Sequence, residues 1–284
     1  MSELAAYKKS LDKFYKKFKL TGFWGDKYPD YLKLYTRKYH IRNWHIDKYI
    51  LGEKTLDIGC GLGDVLKIAS KKATVSVGIE LSATLIQQAK LNLSATGIRN
   101  AYLVLSSGEI LPFKDNTFDC IILADVIEHL LNPEECFSEI KRVSKKNMRL
   151  ILTTPRRSIE KTWKVIDSIL LFPLEVFKKI SKKDQEFQIT NYEKIKEKYF
   201  SPKELKKILV RNGLEIEKHY FIEFYPGSEG SGFFGRVFLR TIHSIPLLNK
   251  KTNNILEIIF SFLEKLKFFN SRQVIIARGK DEKK

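Results

Sequence analysis

The sequence is poor in cysteine, and its three cysteines, Cys60, Cys120 and Cys136, lack the spacing of a metal site. We therefore predict no disulfide framework and expect a protein of a reducing, cytoplasmic compartment. The chain also lacks an uninterrupted run of about 18 apolar residues, so no transmembrane helix is predicted. Residues 1–20 are rich in lysine and have no long apolar core, which argues against a secretory signal.

Acidic residues are scarce as well, since 33 Asp and Glu stand against 51 Lys and Arg, giving a formal net charge of +18. The excess is confined to the two ends of the chain. Residues 1–54 carry +7, residues 55–155 are neutral, and residues 156–284 carry +11. We therefore expect the basic flanks, and not the neutral middle, to contact an acceptor molecule or an anionic surface.

Glycine is infrequent, but three of the 15 glycines stand together in the run LDIGCGLGD at residues 56–64. The run links a predicted strand to a predicted helix, the context in which a glycine loop binds a nucleotide. Glycines let the backbone turn tightly and let a ligand approach it closely. The next predicted strand ends at Glu80, where a carboxylate can accept hydrogen bonds from ribose hydroxyls.

The spacing of this loop is Gly-x-Gly-x-Gly, which differs from the Gly-x-Gly-x-x-Gly of dinucleotide folds. Asp57, just before the loop, would repel a pyrophosphate but suits the cationic amino group of a methionine moiety. These residues favour S-adenosylmethionine (SAM) over NAD as the cofactor. The alternative is a structural glycine turn that binds no ligand.

The middle of the chain alternates short apolar runs with helical patterns, which predicts a parallel sheet wound on both faces. We predict an N-terminal helical lid or substrate segment at residues 1–53 and one α/β domain at 54–284. That domain would carry helical insertions at about 156–200 and 226–270. Strands are predicted at 54–58, 74–80, 101–105, 118–124, 149–153, 214–225 and 273–278, and helices at 64–72, 82–96, 133–144 and from Ser201 to Asn212. The last helix is predicted to begin with a capping box, with Ser201 as N-cap, Pro202 at the first position and Glu204 completing the box.

Four segments resemble class I SAM-dependent methyltransferases, especially the small-molecule branch with the ubiquinone- and menaquinone-pathway enzymes. They read LDIGCGLG at 56–63, VGIEL at 77–81, ILPFKDNTFD at 110–119 and ADVIEHL at 124–130. The resemblance covers a little over a third of the chain and extends more weakly to 201–225. It implies a Rossmann-like seven-stranded sheet whose last strand is antiparallel, with SAM bound at the carboxyl ends of the strands.

The resemblance also implies roles for individual residues. Asp57, Gly59 and Gly61 would contact the methionine end of SAM, Glu80 the ribose, and Leu81 the adenine. The family often has Asp-Ala-Glu where this chain has Ser107-Gly108-Glu109, so adenine recognition would depend on the Gly108 backbone and on Glu109. The predicted cofactor-binding residues are Asp57, Gly59, Cys60, Gly61, Gly63, Glu80, Leu81, Ser107, Gly108, Glu109, Asp125 and Val126.

His129 is the candidate general base, because a base assists methyl transfer when the acceptor is a hydroxyl group. The alternative is that His129 only caps the following loop. Asp125, Glu128 and His129 also resemble the Glu-x-x-Glu-His of ubiquinone-pathway O-methyltransferases, for which a divalent cation is implied. The competing interpretation is a satisfied cluster at a helix start, and we assign no metal ligand.

The N-terminal segment interleaves aromatic and basic residues. His40 or His45 could act as a base there, but the interpretation that we favour is a surface or packing role. Four tyrosines could line an acceptor pocket or could simply form a helix face packed on the sheet. They are Tyr28, Tyr31, Tyr35 and Tyr39.

Two apolar segments with basic edges, Trp163–Lys183 and Asn253–Phe269, interrupt the domain after its fifth and sixth strands. Basic amphipathic helices bind membrane interfaces and lipid-like ligands. The leading hypothesis is thus a methyltransferase for a small hydrophobic or lipid-like acceptor, with an anionic membrane surface as a further partner. The segments could instead form a cap or a dimer interface.

Two other functions remain open at this point. An RNA or protein methyltransferase would use the basic flanks on a phosphate backbone, although no RNA module and no Asn/Asp-Pro-Pro-Tyr/Phe signature is present. A non-catalytic SAM-binding protein is the third hypothesis.

Overall fold

The computed structural model describes residues 33–156, 198–222 and 272–279, with side chains from Ile41 onward. Within these ranges the chain forms a sheet of seven strands flanked by five α-helices. The strands are β1 (Lys54–Ile58), β2 (Val75–Glu80), β3 (Ala101–Leu105), β4 (Phe118–Ala124), β5 (Ser144–Pro155), β6 (Leu214–Ile222) and β7 (Arg272–Gly279). The α-helices are α1 (Lys33–Tyr49), α2 (Asp64–Ser70), α3 (Ala83–Ser94), α4 (Pro133–Val143) and α5 (Pro202–Arg211), and a 3₁₀ helix spans Ile127–His129.

The strands are arranged in the order β3-β2-β1-β4-β5-β7-β6. Strands β1 to β5 pair in parallel, whereas β7 is antiparallel to both of its neighbours. This confirms the doubly wound, seven-stranded sheet with an antiparallel last strand. The strand order reverses between β1 and β4, and ligands of open α/β sheets bind at the carboxyl ends of the strands at such a point.

Both faces of the sheet are buried, as the near-continuous apolar composition of β4 requires. Alternate residues of β4 belong to opposite cores. Ile122 lies in the buried cluster that includes Ile46 of α1 and Ala69 of α2. Its neighbour Ile121 lies in the cluster that includes Phe137 of α4. The described part of the N-terminal segment is therefore built into one face of the sheet.

Helix α1 runs against the direction of β4, from its end to its start. Arg42 contacts Asp125, which directly follows β4. The residues just after α1 reach the other end, where the backbone N–H of Glu53 donates to Asp119 at 3.2 Å. The part of α1 before Arg42 therefore lies toward the carboxyl edge of the sheet.

Helix starts follow the local sequence. The Ser201 hydroxyl accepts from the Glu204 backbone at 3.3 Å, and the Ser201 backbone donates to the Glu204 carboxylate at 2.7 Å. This reciprocal capping box, with Pro202 in the first turn, was predicted and is confirmed. Ser82 is the N-cap of α3, since its hydroxyl accepts from the Leu85 backbone at 3.3 Å.

Some expected bounds differ from those observed. Helix α2 ends at Ser70, two residues earlier than expected, and β5 begins at Ser144, five residues earlier. The 3₁₀ helix was not predicted. Residues 157–197 and 223–271, which contain most of both expected insertions, and Tyr28 and Tyr31 lie outside the described residues. No helix within the described ranges is long and apolar enough to cross a membrane.

Candidate cofactor site

Asp57 places a buried carboxyl group at the carboxyl end of β1. Its side chain is 1% exposed, and neither oxygen has a hydrogen-bond partner among the described residues. Burial raises the pKa of Asp57 to about 8, although the positive charge of Arg42 works in the opposite direction. A buried carboxyl without a partner is costly, so this position is suited to receive a cationic group from a ligand.

Glu80 is held in place by backbone donors from two loops. The N–H of Gly61 donates to Oε2 at 3.1 Å, and the N–H of Ser82 donates to Oε1 at 2.9 Å. A carboxylate has about four lone-pair sites, so it can accept several donors at once. The side chain that ends β2 is thereby oriented toward the glycine loop that follows β1.

The glycine loop is shaped by close contact on one side and open space on the other. At Gly59, φ is +69°, and an added Cβ would stand 2.5 Å from Cγ2 of Val126. At Gly61, φ is +52°, and an added Cβ would meet nothing within 4 Å. The loop therefore packs on Val126 through Gly59 and leaves the Gly61 side accessible to a ligand.

The remaining loop residues have packing roles. Cys60 is 7% exposed and faces Gly78, where an added Cβ would lie 2.8 Å from the sulfur. Burial raises the pKa of the Cys60 thiol well above its usual range, which suits an unreactive core residue. Gly63 is the N-cap of α2, and Leu81 is half-buried directly after β2.

The Ser107-Gly108-Glu109 segment follows β3 and is bound to the loop before α4. Glu109 accepts from the backbone N–H groups of Leu131 at 3.0 Å and Asn132 at 3.4 Å, and its other oxygen accepts from the Ser107 hydroxyl. The two polar side chains expected to recognise adenine therefore bind each other and the neighbouring loop. Their contact with adenine stays a prediction.

Asp125 is held by protein cations on both sides. Nη1 of Arg42 donates to Oδ2 at 2.7 Å, Arg272 pairs with Oδ1, and the Thr153 hydroxyl donates to Oδ1 at 3.0 Å. Burial alone would raise the pKa of Asp125, but the charges of Arg272 and Arg42 hold it well below its usual range. The carboxylate predicted to bind cofactor is thus committed to an ionic network.

Glu128 and His129 form part of the 3₁₀ helix that follows. Glu128 is 2% exposed and accepts from the Thr154 hydroxyl at 2.9 Å. Burial and the Asp125 charge raise the pKa of Glu128 to about 8. His129 is half-buried, and its backbone N–H donates to Val126 at 2.9 Å. In ranges 33–156, 198–222 and 272–279, no three His, Cys, Asp or Glu side chains converge to hold a metal ion.

Helix α1 also reaches β6 through an aromatic contact. The His45 ring lies 4.6 Å from the Tyr220 ring, and the hydroxyls of Tyr49 and Tyr220 share a hydrogen bond. Burial, followed by the charge of Lys48, lowers the pKa of His45. This geometry favours a packing role for His45, while the side chains of Tyr35, Tyr39 and His40 lie outside the described residues.

Arg42 and Arg272 at the carboxyl edge were not predicted from the sequence. A signal for Arg42 was available, because it lies four residues before Ile46 and eight before Ile50, on the apolar side of the helix. A charged residue in that position needs a buried partner. For Arg272 no such local signal exists.

The arrangement fits SAM. The two unpartnered oxygens of Asp57 suit the amino group of the methionine end, Glu80 suits the ribose hydroxyls, and the open face at Gly61 leaves room for a ligand. The sheet order and this site define a class I SAM-dependent methyltransferase. A family described as methyltransferase domain matches residues 51–213, and the chain belongs to it.

Similar proteins agree with this assignment. An uncharacterized protein of Methanocaldococcus jannaschii is 30% identical over 233 residues, covering 79% of this chain and 87% of that protein. A ubiquinone biosynthesis O-methyltransferase of Dechloromonas aromatica is 29% identical over 157 residues, covering 55% of this chain and 66% of that enzyme. Among solved structures, a SAM-dependent methyltransferase of Thermotoga maritima has a TM-score of 0.53 at 15% identity, covering 96% of this chain and 99% of that one.

The chain spans less than two thirds of the length of three other curated relatives, at 47%, 30% and 65%. The first and third of these are ubiquinone biosynthesis O-methyltransferases, of Methylococcus capsulatus and Bartonella bacilliformis.

Proposed function

We propose that this protein transfers the methyl group of SAM to a small hydrophobic or lipid-like acceptor, which it takes up at an anionic membrane surface. The observation that carries the proposal is the course of α1, which is bound beside the cofactor site at Arg42. Residues 33–41 continue the helix beyond that contact by about 13 Å, at 1.5 Å per residue. We infer that they line one side of the path by which an acceptor reaches the donor.

The exposed side of α1 supports a contact with an amphipathic partner. Trp44 is 57% exposed, and the Lys48 ammonium lies 4.9 Å from its ring centroid. An exposed tryptophan next to a lysine is typical of helices at membrane interfaces. The names of the curated relatives in ubiquinone biosynthesis point to an acceptor of the same chemical kind.

The chain's own residues would align the two reactants. SAM supplies a methyl group on a sulfonium leaving group that needs no further activation. Asp57 binds the amino group at one end of the donor, and Glu80 binds the ribose. Alignment of donor and acceptor provides most of the rate enhancement in such a displacement. His129 takes the proton from an acceptor hydroxyl.

The test is transfer of a labelled methyl group from SAM to membrane extracts, to phenolic quinone precursors and to bulk tRNA and protein. We expect label in the apolar small-molecule fraction. We also expect the protein to bind vesicles that contain the anionic lipid phosphatidylglycerol more tightly than pure phosphatidylcholine vesicles. Trp44→Ala should weaken vesicle binding, and Leu91→Ala, at another exposed apolar position, is the matched control.

The opposite pattern would overturn the proposal. Label found only in tRNA or protein would favour the alternative methyltransferase, and SAM binding without transfer to any fraction would favour a non-catalytic protein. Equal binding to both kinds of vesicle would contradict the proposal that the protein takes up its acceptor at an anionic membrane surface.

A further inference from the structure

Arg42 is fixed in a single orientation by its neighbour. Its Nε and Nη2 both donate to Oδ1 of Asn43, at 3.1 and 3.0 Å, which leaves Nη1 directed at Asp125. The residue is 8% exposed. A planar guanidinium held by its own neighbour is more rigid than a lysine ammonium, so the contact defines a geometry as well as a charge.

The partner of Arg42 stands in an unusual backbone conformation. Asp125 has φ of +60°, in the left-handed region that residues other than glycine seldom occupy. The contacts that hold it there come from three elements: Arg42 of α1, Thr153 of β5 and Arg272 of β7. The turn at the end of β4 therefore depends on side chains that are distant in the sequence.

The next residue transmits that geometry to the glycine loop. Val126 occupies the space that a side chain at Gly59 would need, with Cγ2 at 2.5 Å from the position of an added Cβ. A rotation of the Asp125 backbone would move Val126 toward or away from Gly59. Arg42 also acts on the same site through its charge, since it lowers the otherwise raised pKa of Asp57.

We propose that Arg42 is a positioning residue for the methyl donor, coupling the docking of α1 to the SAM site through Asp125 and Val126. The inference rests on the proposed donor site at Asp57 and Glu80. Helix α1 would then influence the affinity for SAM, in addition to lining the path of the acceptor. A change in α1 would then alter the position of the glycine loop, although α1 itself does not contact the cofactor in this proposal.

A double-mutant cycle on SAM affinity tests this coupling, since only interacting residues give non-additive effects. Arg42→Gln, Val126→Ala and the double variant are compared with the wild type by calorimetry. We expect Arg42→Gln to weaken SAM binding by about tenfold in the wild-type background and by less than about threefold in the Val126→Ala background. Arg149→Gln removes an ion pair between the middle of β5 and Glu217 of β6, and it should act equally in both backgrounds.

Equal losses for Arg42→Gln in the two backgrounds, or no loss in either, would overturn the proposal. Arg42→Lys keeps the positive charge but cannot donate to Asn43 and Asp125 with the fixed geometry of a guanidinium. We therefore expect it to recover only part of the affinity for SAM. If Arg42→Gln does not fold, Asn43→Ala takes its place in the cycle, and the same comparison decides. A wild-type protein that binds no SAM would instead overturn the donor site itself.

Discussion

The backbone N–H of Gly61 donates to the carboxylate of Glu80 at 3.1 Å, which joins the loops after β1 and β2. With the second bond from Ser82, this contact orients Glu80 through backbone donors of the protein itself. A site whose side chains already stand in place loses less entropy on binding. The donor site is thus largely formed by the protein's own hydrogen bonds.

Gly59→Ala should damage the donor site sterically. The new Cβ would lie 2.5 Å from Val126 at a φ of +69°, so both the contact and the backbone are strained. We expect SAM affinity to fall by at least about tenfold and the free energy of unfolding by about 1–3 kcal/mol. Calorimetry and thermal unfolding check this. Val126→Ala should restore part of both losses, and a failure to do so would locate the strain elsewhere.

Asp57→Asn should weaken SAM binding and raise the free energy of unfolding. In the folded protein the pKa of Asp57 is raised from 3.8 to about 8, so the native state holds a proton that the unfolded chain releases. The free energy of unfolding of the wild type therefore falls as pH rises from about 4 to 8. Asp57→Asn has no group that titrates at this position, so its stability does not fall for this reason. We expect the variant to be more stable by about 1–3 kcal/mol at pH 8, and to bind SAM poorly.

The measurement is denaturant unfolding of both proteins at pH 5, 6.5 and 8. The stability difference in favour of Asp57→Asn should grow over this series. A constant difference would mean that Asp57 is ionised throughout in the folded protein. Asp115→Asn, which changes an exposed carboxylate in an ion pair with Arg142, is the control.

His129→Gln should separate chemistry from donor binding. The glutamine keeps a hydrogen-bonding side chain but cannot accept a proton from the acceptor. We expect kcat to fall by about 100-fold or more for a hydroxyl acceptor, with unchanged affinity for SAM. Single-turnover transfer and calorimetry measure the two quantities. Unchanged kcat would leave His129 with the capping role alone.

Ser201→Ala should affect stability without affecting the site. It removes the hydroxyl half of the capping box at the start of α5. Helix α5 packs in the same buried cluster as α4. The expected loss is about 1 kcal/mol in the free energy of unfolding. SAM affinity should stay within about twofold of the wild type, because distant sites act independently. A larger change in affinity would reveal a link between α5 and the donor site.

The sequence predicted what local patterns determine. The bounds of β1, β3 and β4 were predicted to the residue, because short apolar runs there are delimited by turn residues. The capping box at Ser201 needs only four neighbouring residues. The acid at Glu80 followed from its place at the end of a strand.

What the sequence did not reveal depends on distant pairs. Arg42 and Asp125 are 83 positions apart, and Tyr49 and Tyr220 are 171 apart, so no local pattern connects them. The bonds that Glu109 accepts from the backbones of Leu131 and Asn132 likewise join residues 22 and 23 positions apart. These contacts decide which candidate side chains remain available to a ligand. Among the described residues, the two side-chain oxygens of Asp57 have no hydrogen-bond partner, whereas the carboxylate of Asp125 is bound by arginines.

The central claim is that Asp57 and Glu80 form the donor site, and calorimetric titration of SAM into Glu80→Ala tests it most directly. Glu53→Ala, an exposed glutamate before β1, is the matched control. We predict micromolar binding for the wild type and the control, on the order of −8 kcal/mol, and a loss of at least about tenfold for Glu80→Ala. Equal affinity in all three proteins would contradict the account.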